Sequence, residues 1–124
     1  MQRLTTKNKP PDFTVPESKN FGWQLLTRPQ ARERNMSIVV QRFEPEGWFF
    51  EHDHDLDQYF YVTEGLFELT IAGQTAVYRQ GDLAYVARNE PHAGRNIAQG
   101  ESELLVIDYW PSDSTSDLGL EEEQ

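Results

Sequence analysis

The sequence predicts an all-β fold, a sandwich or barrel, from three observations. Short runs rich in β-branched and aromatic residues recur along the middle of the chain, turn-forming residues interrupt them roughly every eight to twelve positions, and helical periodicity is hard to find. Pro10, Pro11 and Pro16 break up any regular element near the start, so residues 1–19 read as an extended arm. The folded domain is expected over residues 20–111. Its candidate strands are 21–27, 36–43, 58–63, 67–72, 75–78, 83–86 and 103–109, with turns at 45–47, 64–65, 72–73, 80–82 and 88–91. Residues 112–124 hold Asp113, Asp117, Glu121, Glu122 and Glu123 with no basic residue, and are expected to be a disordered acidic tail.

Bulk properties narrow the function. A chain of 124 residues has room for one domain and one modest core. A formal charge of −10 argues against nucleic acid, because phosphate-backbone binding draws on clustered Lys and Arg. No apolar run is long enough to span a bilayer and no signal segment is readable, so a soluble, cytoplasmic protein without membrane contact is expected. Cysteine is absent, so a bound metal would be held by nitrogen and oxygen alone.

The three histidines, His52, His54 and His92, are the most informative residues. Residues two apart on a strand share a face, so His52 and His54 are expected to converge while Asp53 points away. Gln58 opens the next apolar run, on the same face as Phe60 and Val62, and can join them.

The stretch from Gly47 through His52-Asp-His54-Asp-Leu-Asp-Gln58 to Gly65 resembles the first signature motif of the cupin superfamily. The second motif is matched by Gly81-Asp82, by His92 eleven positions after Gly81, and by Asn96 four after His92. The resemblance implies a cupin double-stranded β-helix, or jelly-roll barrel, with one divalent metal ion on His52, His54, Gln58 and His92. Three departures stand out. Gly47 is one residue closer to His52 than in the motif, and Ala87 and Asn89 replace a usual proline and glycine. Gln58 replaces a usual glutamate. A neutral amide beside three imidazoles leaves the metal's charge uncompensated, which favours a small anionic substrate; Zn, Ni, Fe(II) and Mn all suit such donors.

Within cupins the segments 52–58, 61–73, 81–86, 91–92 and 107–111 are most similar to the KdgF-type proteins of pectin and alginate degradation, which open the ring of 4,5-unsaturated uronates. That resemblance implies a catalytic carboxylate at Asp108, which interrupts the apolar run 104–110. It also implies an arginine soon after Trp110, which is missing here, leaving Arg42, Arg88 or Arg95 as substitutes or a different substrate. Phe60, Val62 and Trp110 are expected as walls of the substrate pocket. An Fe(II)-dependent dioxygenase and a non-catalytic sugar- or small-molecule-binding cupin remain as alternatives. Tyr59, Tyr61 and Trp23 on outward strand faces lead us to expect a homodimer.

Overall fold

The computed structural model describes residues 8–112. Along them run β1 (Phe13–Val15), a 3-10 turn (Pro16–Ser18), β2 (Asn20–Gln24), α1 (Arg28–Arg34), β3 (Met36–Phe43), β4 (Trp48–His52), β5 (Asp57–Glu64), β6 (Leu66–Ile71), β7 (Gln74–Arg79), β8 (Leu83–Val86), β9 (His92–Asn96) and β10 (Ser102–Tyr109). One sheet has six strands in the order β1-β2-β3-β10-β5-β8, the other four in the order β4-β9-β6-β7. Every pairing is antiparallel. The expected all-β jelly roll is what forms.

Alternation along each strand makes the barrel. On β5, Gln58, Phe60 and Val62 are buried while Tyr59 and Tyr61 face outward. On β10, Leu104 and Val106 point inward beside them. Phe43 from the larger sheet meets Phe67 from the smaller one edge to face, ring centres 4.8 Å apart, so the two inner faces share one core. Within the smaller sheet, Leu69 and Phe49 on the strands either side of β9 close over Gly94: a Cβ there would stand 2.7 Å from both Leu69 Cδ2 and Phe49 Cε1.

One end of the barrel is sealed by Asn96. Its side-chain amide donates to the carbonyls of Phe43, Glu44 and Gly100, and its Oδ1 accepts from Ser102 Oγ and the Ala98 N–H. Five hydrogen bonds from one buried side chain tie β9 to the loop after β3 and to the start of β10.

The structure corrects several expectations. Residues 13–15 of the expected arm pair with β2 as β1, and Trp23, expected on the surface, is only 8% exposed, its Nε1 donating to Lys9 O at 2.8 Å. The expected strand over 21–27 stops at Gln24, since Thr27 caps α1. Its hydroxyl accepts from the Gln30 N–H, while Gln30 Oε1 accepts from the Thr27 N–H. Leu26 and Ala31 bury this helical turn against Met36 and Ile38 on the outer face of β3. Strands β4 and β9 are additional to those expected. The acidic residues of the expected tail lie outside the described residues.

Candidate metal centre

β4 and β9 pair so that His52 stands opposite His92, with the register broken between Phe49 and His52. His54 is not on a strand. It lies in the connection from β4 to β5, so the expected two-apart strand geometry is not what aims it; the Asn89 N–H donating to His54 O at 2.9 Å holds that connection instead. Asn89 adopts the left-handed backbone (φ 64°) that its substitution for glycine requires. The three imidazoles nonetheless converge, with one ring nitrogen from each within 4.8 Å of the others.

Hydrogen bonds fix which nitrogens face inward. His52 Nδ1 lies 2.9 Å from Phe50 O, and His92 Nδ1 lies 2.9 Å from Glu90 O. A carbonyl can only accept, so both Nδ1 atoms carry the proton and both Nε2 atoms present a lone pair. Burial, followed by repulsion from His92 and His52, lowers the His54 pKa to about 4. Burial likewise lowers that of His92. At neutral pH all that the pair offers is neutral imidazole, the form that binds metals.

Gln58, Asp108 and Ser37 stand side by side on β5, β10 and β3. Gln58 Nε2 donates to Asp108 Oδ1 at 2.7 Å, and Ser37 Oγ donates to Asp108 Oδ2 at 3.4 Å. Burial pushes the Asp108 carboxyl up to about 6, against the opposing pull of those two hydrogen bonds.

Two buried polar atoms among the described residues have no hydrogen-bond partner: Gln58 Oε1 and His92 Nε2. Both are acceptors, and buried acceptors left unpaired are rare. A divalent cation held among the histidines and Gln58 would satisfy both. The donor set of imidazole nitrogens and one amide oxygen therefore fits the expected metal, which His52, His54 and His92, joined by Gln58, would hold.

Of the expected pocket walls, Phe60 reaches the site, its ring centre 6.0 Å from that of His92. Val62 is fully buried in the core, and Trp110 is buried past the end of β10, its backbone N–H donating to Asn35 O. Phe49 was not expected. Its ring packs against His52, His92 and Phe60 and forms the apolar floor with Phe60. Arg42 is ruled out as a substrate cation, because Glu64, Glu101 and Glu103 hold it at the Asn96 end. Arg95 pairs with Glu68 on the exterior. Arg88 is the one of the three at the histidine end, where it binds Asp55 beside His54.

Residues 39–108 match the family model of the cupin domain, Cupin_2. The chain is a cupin. It is 33% identical over 61 residues to the pectin degradation protein KdgF of Dickeya dadantii (strain 3937), a match covering 48% of this chain and 54% of that protein. The chain thus spans about half the length of the curated relative it matches. Among solved structures, KdgF from Halomonas sp. superposes with a TM-score of 0.72 at 15% identity, covering 91% of this cupin and 97% of that chain. An RmlC-like cupin from Shewanella frigidimarina NCIMB 400 superposes with a TM-score of 0.73 at 16% identity, covering 91% and 95%. The polyketide cyclase RemF from Streptomyces resistomycificus gives 0.66 at 21% identity, covering 79% and 68%. At these identities the structural likenesses establish the fold.

Proposed function

We propose that this cupin is a metal-dependent isomerase that opens the ring of a small 4,5-unsaturated uronate. The observation that carries the reading is Asp108, a partly buried carboxyl hydrogen-bonded to Gln58 in the metal centre, with a pKa of about 6. A carboxyl poised near neutrality can both accept and return a proton. The sequence match to a protein named for pectin degradation supports a uronate as the substrate class.

A bound divalent ion would supply Lewis-acid polarisation of substrate oxygens. The residues do the rest. Asp108 takes the proton from the anomeric hydroxyl as the C1 carbonyl forms and the C1 to ring-oxygen bond breaks. The electron pair runs through the ring oxygen to the C4–C5 double bond, and C4 takes up the proton Asp108 holds. Atoms and electrons balance as an isomerisation, with no redox step. Phe49 and Phe60 back the site and exclude water from below. Arg88, held by Asp55 next to His54 in the chain, is the candidate cation for the substrate carboxylate.

Unsaturated uronate monomers incubated with metal-loaded protein should lose the ultraviolet absorbance of the conjugated double bond, and Asp108→Asn should abolish the loss. Activity that persists in Asp108→Asn, or activity that requires O₂ and fails when zinc replaces iron, would overturn the proposal.

A further inference from the structure

We infer that Asp108 is a positioning residue for the metal centre: it holds the Gln58 amide in the one orientation that presents Oε1, rather than Nε2, to the ion. This deepens the proposed function and rests on its metal centre.

An amide has two nearly isosteric ends, and nothing in a barrel core selects between them except hydrogen bonds. Here the selection is one-sided. Gln58 Nε2 donates to Asp108 Oδ1 at 2.7 Å, a short bond to an acidic oxygen. Flipping the amide would set its carbonyl oxygen against that carboxylate, acceptor against acceptor, and turn an N–H donor toward the place where a cation must sit. The observed orientation leaves Gln58 Oε1 as the unpartnered buried acceptor. His92 Nε2 is the other buried acceptor left open, and β5 brings Gln58 to the histidines one step beyond Phe60, whose ring neighbours His92.

Asp108 is itself held from the opposite side. Ser37 Oγ lies 3.4 Å from Oδ2, so the carboxyl sits between a hydroxyl on β3 and the amide on β5. This chain of Ser37, Asp108 and Gln58 runs across three adjacent strands and is not visible as a sequence motif. It also accounts for the glutamine where the motif has glutamate: a carboxylate at position 58 would face Asp108 at hydrogen-bond distance with no donor between them.

The same geometry makes Asp108→Asn the conservative variant. The asparagine's Oδ1 can still accept from Gln58 Nε2, and its amide nitrogen can donate to Ser37 Oγ, since a hydroxyl both donates and accepts. Asp108→Ala removes the grip entirely.

The test is a double-mutant cycle on cobalt(II) affinity of the full chain, measured by chelator competition and by the visible absorption of bound cobalt, with no substrate present. Asp108→Ala should weaken cobalt binding by about tenfold or more, in the range that outer-shell partners of metal ligands command, and should alter the cobalt spectrum. Asp108→Asn should restore the affinity to within a fewfold of wild type. In a Gln58→Ala background, Asp108→Ala should have no further effect. The inference is overturned if Asp108→Ala binds cobalt as tightly and with the same spectrum as wild type, or if it weakens binding equally with and without Gln58. A wild type that binds no cobalt would overturn the metal centre and this inference together. Wild-type binding without the Gln58 coupling would remove this inference and leave the centre standing.

Discussion

Gln58→Glu changes hardly any volume and reverses one contact. Gln58 Nε2 lies 2.7 Å from Asp108 Oδ1, so the variant sets two carboxyl groups against each other without a donor. With charge centres about 4 Å apart, the repulsion is ~4 kcal/mol at an effective dielectric of 20. The pair can escape by taking up a proton instead. Asp108, with a pKa of about 6, is the cheaper carboxyl to protonate, which takes ~3 kcal/mol at about pH 8 and almost nothing at about pH 5, at ~1.4 kcal/mol per pH unit. Each condition follows the smaller penalty. Metal-free Gln58→Glu should therefore be less stable than wild type by about 3 kcal/mol at the higher pH and hardly less stable at the lower. The sign follows from linkage: the folded variant holds a proton that the unfolded chain releases, so its stability falls as pH rises. The wild type has a weaker slope of the same sign from Asp108 itself, between 3.8 and about 6, and must be subtracted. Urea unfolding in chelator reads the difference, ~3 kcal/mol, as a midpoint shift of about 1–3 M between the two pH values. Saturating divalent ion should remove most of it. An equal midpoint displacement at both pH values would refute the Gln58–Asp108 geometry.

His52→Ala, His54→Ala and His92→Ala should each strongly lower metal occupancy, measured by elemental analysis after dialysis, because each removes one of the clustered ligands; full occupancy in the His52→Ala, His54→Ala double variant would eliminate the site. The His54 pKa of about 4 lies below its ordinary 6.5, so in that interval the unfolded chain binds more protons and metal-free stability should rise with pH. His54→Asn should flatten that rise in pH-dependent urea midpoints, and an unchanged slope would contradict it. The protein should be a homodimer through the outer face of β10, β5 and β8, where Tyr61 (39%), Leu83 (58%), Tyr85 (50%) and Tyr109 (46%) are exposed on neighbouring strands. In a chain of net charge −10, two copies repel little through a patch in which these four residues are uncharged and the adjoining Asp57 is bonded to Tyr85. Light scattering should report a dimer that Leu83→Glu dissociates, and a monomer-sized wild type at micromolar concentration would refute it.

The period-two alternation of Gln58 to Val62 and of Leu104 to Val106 was legible because burial on one face writes itself into the sequence. Strand β9, His92-Ala-Gly-Arg-Asn96, was not, since its inward positions are a histidine, a glycine and an asparagine rather than apolar residues. Helix α1 has one buried residue, Ala31, and so no periodicity to read, although Thr27 and Gln30 at capping-box spacing signal its start. The histidines were legible as ligands through their spacing. Ser37 was not legible, because only the register of β3 against β10 brings it to Asp108, and strand pairing over 71 positions leaves no local trace. Phe49 was hidden between Trp48 and Phe50, and only the register break after it lets Phe49 and His52, three positions apart, face the same side.

Strand β9 has its two ends fastened by different means. At one end Asn96 binds the opposite sheet through backbone carbonyls and Ser102; at the other, His92 belongs to the smaller sheet while Gln58 belongs to the larger. A metal ion shared by His92 and Gln58 would thus be a clasp between the two sheets, whereas the Asn96 end is stitched by the chain itself. Stripping the ion should let the histidine end breathe while the stitched end stays shut. Amide hydrogen exchange would show this as faster exchange near His52 and His92 and unchanged protection near Asn96, a gradient along a strand of five residues. Loading with metal would then do mechanical as well as chemical work, setting the width of the opening through which a substrate must pass.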